Sequence, residues 1–446
     1  MLQVLFVFLT LALVIFLVFK KWNIILVSIV AAAVLAILDG QNILTALTDT
    51  FMSGASTYVK NFFLLFCVSA LFGKVMEETG AAAAIAKWLT KLLGEKFAIL
   101  GVFFAGMLLT YGGISALVIA FTMYPIALAV FKSANLPRRL IPGVIAAGCF
   151  TFAATAFPGT PQTINLIPPQ YIGTTVNAAP VLGIICGLIG TFLLVIYVYH
   201  EGAAARKKGD GFEADENTLK ILAEAEKLGD GVNPILALVP IIVIIVLLVA
   251  AKMNAHIALL IGSILCAVLF HKNLKLSGIQ DLLVAAIGSG TNAVITTGCI
   301  VGYGTVVSAS AGYAILSDAL IHMGGNPLVS FGIATTVLAG AAGSGTGGLA
   351  IAMSNIAPEY IAMGVNPEVL HRIGTMAATG LDSLPHSGAV VVLLTLCGMT
   401  HKDSYKQIFV DCCDYIDCGF YRYCHWKCYV SDRIADKNNH ILKSRI

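Results

Sequence analysis

Residues Ala154 to Gln170 read Ala-Thr-Ala-Phe-Pro-Gly-Thr-Pro-Gln-Thr-Ile-Asn-Leu-Ile-Pro-Pro-Gln, and the fold turns on how this stretch is explained. It lies inside apolar sequence, yet Pro158, Gly159 and Pro161 cannot continue a helix, and Thr160, Gln162, Thr163 and Asn165 carry polar side chains. Lipid cannot satisfy the backbone groups that such a break frees. An interrupted helix at membrane depth is therefore buried in protein or lines a watery cavity. The break is expected at a binding site.

Composition sets the surroundings of that break. The 446 residues are 58% hydrophobic and 11% charged, with a mean hydropathy of +0.89; a soluble domain carries about 25% charged residues. An all-α polytopic membrane protein is expected, with the lipid bilayer as its solvent. Apolar runs of roughly 17–25 residues recur from end to end and leave no room for a separate soluble domain. The net charge of +3 is spread over short loops, so no nucleic-acid partner is expected. Cys67, Cys149, Cys186, Cys266, Cys299 and Cys397 lie singly in apolar segments and read as small hydrophobes. No nucleotide loop, zinc-protease helix or catalytic triad is recognisable, so neither an enzyme nor a bound cofactor or metal is expected.

Residues 1–38 read as two transmembrane helices, Leu2–Phe19 and Ile24–Leu38, joined at Lys20-Lys21. The first is a retained span, since a basic leader and a cleavage site are both missing. Lys20 and Lys21 place their turn in the cytoplasm, which puts the amino terminus outside. Residues 39–200 read as a first transport repeat. It holds an external stretch from Asp39 to Thr57 that lies along the interface, a span from Tyr58 to about Ala84, and an apolar segment from Phe97 to Phe131 broken at Tyr111-Gly112-Gly113-Ile114-Ser115. The arms of that segment, about 15 residues each, are short for a crossing and both ends are basic, which describes a re-entrant hairpin. The broken span, Leu140 to about Tyr171, and a span from Ala178 to Tyr199 complete the repeat. Residues 201–232 are the longest polar run and read as a solvated cytoplasmic linker. Residues 233–410 read as a second repeat, and 411–446 as an atypical tail.

The second repeat echoes the first at an offset of about 230 residues. Leu338–Met363, broken at Gly343-Ser344-Gly345-Thr346-Gly347-Gly348, matches the first hairpin; Arg372 through Gly388, containing Asp382-Ser383-Leu384-Pro385-His386-Ser387, matches the first broken span. The loops flanking the first hairpin carry Lys87, Lys91, Lys96, Lys132, Arg138 and Arg139, whereas those flanking the second carry Asp318, Glu368 and only Arg372 as a permanent cation. The copies are therefore expected in opposite orientations. Such inverted-topology repeats, each with a re-entrant hairpin and a discontinuous transmembrane helix, build many secondary transporters.

Two hairpin tips and two breaks should converge on one cavity. Gly112, Gly113 and Gly345 let backbone approach a ligand, and helix amino-termini ending there suit a carboxylate. Ser115, Thr160, Gln162, Asn165, Ser344, Thr346, Ser383 and Ser387 are the side chains expected to bind hydroxyl groups of the same molecule; small polar residues that merely permit close helix packing are the alternative. Asp382 and His386, ionisable and four positions apart around Pro385, are the proton-coupling candidates, with helix capping and a bond to a backbone carbonyl as the structural alternatives. A sodium-coupled carrier or exchanger is the less favoured variant, and a channel-like pore the alternative of another class. A homo-oligomer is left open.

These residues resemble the gluconate permease family, proton symporters for gluconate and related hydroxy acids. The resemblance runs from about Phe63 to Phe409. It rests on Leu71-Phe72-Gly73-Lys74-Val75-Met76-Glu77, Asn135-Leu136-Pro137-Arg138-Arg139-Leu140-Ile141-Pro142-Gly143, Phe157-Pro158-Gly159-Thr160-Pro161, Gly380 through Ala389, and Cys397 through Tyr405. It implies proton-coupled uptake of a small hydroxy monocarboxylate across a bacterial cytoplasmic (inner) membrane. Where that family continues into a final apolar span, this chain reads Asp411-Cys412-Cys413-Asp414 and a polar, cysteine-bearing tail. Its cysteines and His425 match no zinc spacing, so the tail reads as a reading-frame change rather than a metal site.

Overall fold

A computed structural model describes residues 2–20, 22–94, 97–225, 229–274, 278–315, 326–342, 344–385 and 387–410; His386 and the tail lie outside them. Among the described residues every regular element is a helix. Helices α1 (Leu2–Phe19) and α2 (Ile24–Leu38) precede α3, which runs from Ile43 to Glu78 as one 36-residue apolar helix with a wide turn at Ala46–Phe51. The expected external stretch from Asp39 to Thr57 is thus mostly helix, begun by Asn42, whose side chain accepts from the Thr45 amide at 3.1 Å. The span also ends earlier than Ala84, because Gly80 turns the chain with φ +75 into α4 (Ala81–Leu93).

The first hairpin is α5 (Ala98–Tyr111) and α6 (Ala116–Ser133), broken at Gly112–Ser115 as the glycines predict. The broken span holds α7 (Ile141–Cys149), a turn at Phe152–Thr155 and, beyond the break, α8 (Thr163–Leu166). Helix α9 (Pro180–Lys208) runs nine residues past the end of the apolar run at Tyr199 and carries its basic residues on a final turn, where they suit the helix dipole. A short α10 (Glu216–Ala225) leads to α11 (Pro234–Val249), α12 (Ala255–Leu269) and the 30-residue α13 (Ile279–Ser308). The second hairpin is α14 (Pro327–Ala342) and α15 (Gly345–Ile351), the latter continuing through a wide turn at Ala352–Ile356 into α16 (Ala357–Ala362). The second broken span is α17 (Pro367–Ala377), a turn at Leu381–Ser383 and α18 (Gly388–Leu396), bent by 55° at the break.

Equivalent elements recur at a fixed offset: α5 and α14 begin 229 residues apart, as do α6 and α15. The pairing of α3 with α13, the long helices that precede the hairpin in each repeat, sets their relative direction. Gly302 packs on Phe51, Gly298 on Ala55 and Gly290 on Cys67, so numbers fall along α13 as they rise along α3. The two equivalent helices are antiparallel, and the repeats are inverted. A Cβ at Gly290 would stand 2.8 Å from the Cys67 Cα, so glycine is what lets these backbones touch. In lipid, where apolar surface gains nothing from leaving one hydrocarbon for another, such small-residue contact supplies the packing energy. A second cluster, Val7, Val14, Val27, Ala31, Leu35, Tyr303 and Val306 among its members, fastens α1 and α2 to α13.

Candidate functional site

Each break docks on the hairpin tip of its own repeat. At the first, the Gln162 amide nitrogen donates to the carbonyls of Thr110 (2.6 Å) and Ile114 (2.8 Å), the Thr160 hydroxyl faces Tyr111 O at 3.5 Å, and the Tyr111 hydroxyl donates to Pro158 O at 3.0 Å. Gly113, with φ +92, lies against the Pro161 ring. Ser115 caps α6 by accepting from the Val118 amide at 3.5 Å. These polar side chains close the carbonyls that the hairpin leaves open, the task that a break in lipid sets.

At the second tip Ser344 occupies the place of Ser115 and caps α15 through the Gly347 amide at 3.2 Å, with the Thr346 hydroxyl 3.2 Å from its own. Gly345 and Gly347 therefore form the first turn of the helix rather than the loop. Asp382 accepts from the Gly345 amide and from the Ser387 hydroxyl, the latter at 3.1 Å, and is partly exposed. Its carboxylate thus sits at a helix amino-terminus, where negative charge is favoured. Ser383 donates to Gly380 O at 2.9 Å, one turn back on its own strand of chain. Gly112 is packed beneath Ile241 of α11. His386 lies outside the described residues, so its pairing with Asp382 has no structural account.

Two groups that were not among the expected site residues, Arg372 and His371, join the halves. Arg372, counted above among loop cations, is fully buried in α17. Its guanidinium donates to Thr155 O (2.9 Å), Ala178 O (2.9 and 3.2 Å), Val176 O (3.3 Å) and Asn165 Oδ1 (3.1 Å), which uses all five of its hydrogens. Among the described residues it makes no ion pair. His371, equally buried, lies 3.0 Å from Asn165 Oδ1 and 2.7 Å from the Thr174 hydroxyl. The Asn165 amide donates in turn to Thr160 O (2.8 Å) and Val176 O (3.1 Å). Asn165 has no capacity left for a ligand; it is a brace between the breaks. The Thr375 hydroxyl adds a bond to Thr155 O at 2.9 Å, and α8 packs on α15 across the repeats. An arginine in the middle of an amphipathic helix, on its apolar side with Leu370, Ile373 and Met376, was the available signal.

A cavity of about 630 Å³, lined by both polar and apolar residues, opens beside this junction. Its walls are α3, the connection after α8, the turn between α11 and α12, and the start of α17, and Val176, whose carbonyl holds Arg372, is part of its lining.

Comparison with known proteins agrees with this architecture. The curated relatives include the uncharacterized transporter YxjC of Bacillus subtilis, 34% identical over 91% of this chain and 95% of its own length, and an uncharacterized transporter of Haemophilus influenzae, 24% identical over 76% and 78%. Among solved structures, the Alcanivorax borkumensis YdaH transporter, described as having an unusual topology, aligns with a TM-score of 0.57 over 86% of this chain and 87% of that one. Neisseria gonorrhoeae MtrF, described within a class of antimetabolite efflux pumps, aligns with 0.51 over 86% and 84%. Both are 14% identical, so they share the fold. Residues 2–401 match the profile of the family described as "Tripartite ATP-independent periplasmic transporter, DctM component". That match overturns the resemblance to gluconate permeases. Three of the strings behind it fall at a hairpin end and the two breaks, where any carrier of this build needs Gly, Pro and small polar residues. The chain belongs to the DctM-component family of tripartite ATP-independent periplasmic transporters.

Proposed function

We propose that this chain moves a small organic anion across the membrane by alternating access, with protonation of Asp382 coupled to the movement. The observation that carries this reading is the Asp382 carboxylate, partly exposed between the Gly345 amide of the second hairpin tip and the Ser387 hydroxyl of the second break. A carboxylate at the contact between two moving segments changes their attraction when it takes a proton, and linkage then makes proton and substrate occupancy favour the same transition. The hydroxyls of Ser344 and Thr346 at the second tip are the donors for the substrate's carboxylate. A family described as ATP-independent supports an ion gradient as the energy source.

The test is uptake into proteoliposomes with an imposed pH gradient, using a labelled panel of C3 to C6 mono- and dicarboxylates. Asp382→Asn is expected to abolish accumulation above the equilibrium level while sparing exchange of external for internal substrate. Undiminished accumulation overturns the coupling role. One observation favours a second reading: the Ser387 hydroxyl lies on the Asp382 carboxylate, and Ser344 and Thr346, whose hydroxyls are 3.2 Å apart, flank the Gly345 whose amide that carboxylate accepts from. Hard oxygen atoms that suit a sodium ion thus stand nearby. Accumulation that persists without a pH gradient and disappears when choline replaces sodium selects that variant.

A further inference from the structure

The cavity beside the junction holds a charge that the transport reading has not used. Lys252 sits in the turn between α11 and α12, is exposed, and among the described residues makes no ion pair. Its backbone has φ 49, a left-handed conformation that non-glycine residues seldom adopt. Glycine is the unstrained choice for that turn, so the lysine is held there at a cost. The turn is fixed on both sides: the Met253 amide donates to Leu247 O at 2.9 Å, and Asn254 caps α12 through the His256 amide at 3.0 Å. The backbone that carries Lys252 is thereby held in place beside the cavity.

The remaining lining supports a negative guest. Gln170, Asn177 and Asn254 offer amide groups, and His256 stands on the same side as Lys252. The one acidic residue in the lining, Glu368, accepts a bond from the Ala179 amide at 3.2 Å. Arg372 lies one residue behind the wall, its Nη2 donating to Val176 O at 3.3 Å, and among the described residues it makes no ion pair. Low-dielectric walls focus such a field into the opening. The volume of about 630 Å³ falls within the range of about 300–1,000 Å³ that small-molecule sites occupy.

We propose that this cavity is an anion-collecting vestibule in which Lys252 binds a carboxylate group of the transported molecule before that molecule reaches the first break. The last step rests on the transport reading; the anion selectivity of the cavity does not. Its test needs no knowledge of the substrate. Gln170, exposed in the cavity, is replaced by cysteine in a chain whose five tail cysteines are serine. The purified protein in detergent is then treated with anionic sulfonatoethyl and cationic trimethylammonioethyl methanethiosulfonate, with the labelling of the parent chain subtracted. The anionic reagent is expected to react in preference. Lys252→Glu should lower the anionic-to-cationic rate ratio by roughly five-fold at low ionic strength, and Lys252→Gln by about half that factor, with both effects fading in 1 M salt. Lys252→Arg should keep the ratio. A ratio that Lys252→Glu and Lys252→Gln leave unchanged overturns the proposal. Asp382→Asn should leave the ratio as it is while abolishing coupled accumulation, so failure of the vestibule and failure of the coupling role give different results.

Discussion

Among single residues, Arg372 does more for the architecture than any glycine or proline visible in the sequence. A fully buried guanidinium is costly unless every donor is met, and here three backbone carbonyls and Asn165 meet all five. The acceptors lie on the first broken span and on the connection that follows it, and the donor on the second broken span, so one side chain ties the two interruptions together. Arg372→Met is expected to strand those carbonyls and Asn165, at about 2–4 kcal/mol in thermal unfolding of the purified protein. Arg372→Lys should recover only part of that, since an ammonium has three donors and no planar fork. A melting temperature unmoved by Arg372→Met would show that the knot carries no load. The sequence displayed this residue plainly, but charge counting assigns an arginine near an acidic loop to the loop. Burial was decided by the partners, 194 to 217 residues away, which local reading does not reach.

At the scale of elements, the breaks were the legible part. Gly112-Gly113 stops α5 for a local reason and the helix ends at Tyr111, whereas α7 stops at Cys149, nine residues before Pro158, with only the turn at Phe152–Thr155 between. What the local reading lacked was any means of telling a solvated linker from a strapped one. Arg138 pairs with Asp215 at 3.2 Å and with the Thr218 hydroxyl, Arg139 pairs with Asp210, and the Phe212 amide donates to Asn135 at 3.0 Å. The segment after α9 is thus tied to the base of the first hairpin, and α10 packs on α6. The Thr218 hydroxyl, then its amide, then Arg138 hold the Asp215 carboxyl down at about 2, below its ordinary 3.8. Because the folded value is the lower one, this contact is at full strength above pH 3.8 and is lost as the pH falls through about 2. Asp215→Asn should therefore loosen the strap at neutral pH, raising tryptic cleavage after Lys220 by roughly three-fold. Cleavage at the wild-type rate would mean that the ion pair is idle.

For the whole molecule, inversion of the two repeats is the claim on which the rest depends. It was foreseen from loop charges, one of which, Arg372, proved to lie in the protein interior rather than in a loop. The stronger ground is the antiparallel packing of α3 and α13, a relation between helices more than 200 residues apart that only the folded chain displays. The family assignment likewise came from the pattern over residues 2–401 as a whole, where short shared strings pointed to another family. Inversion places the two hairpins on opposite faces, with Ser133 at the base of the first and Met363 at the base of the second, both exposed. The direct measurement is labelling of Ser133→Cys and Met363→Cys by a membrane-impermeant maleimide in intact cells, with the tail cysteines replaced by serine. Labelling of position 363 in intact cells, and of position 133 only after permeabilisation, is the expected result; labelling of both from the same side would contradict the inverted architecture and the site built on it.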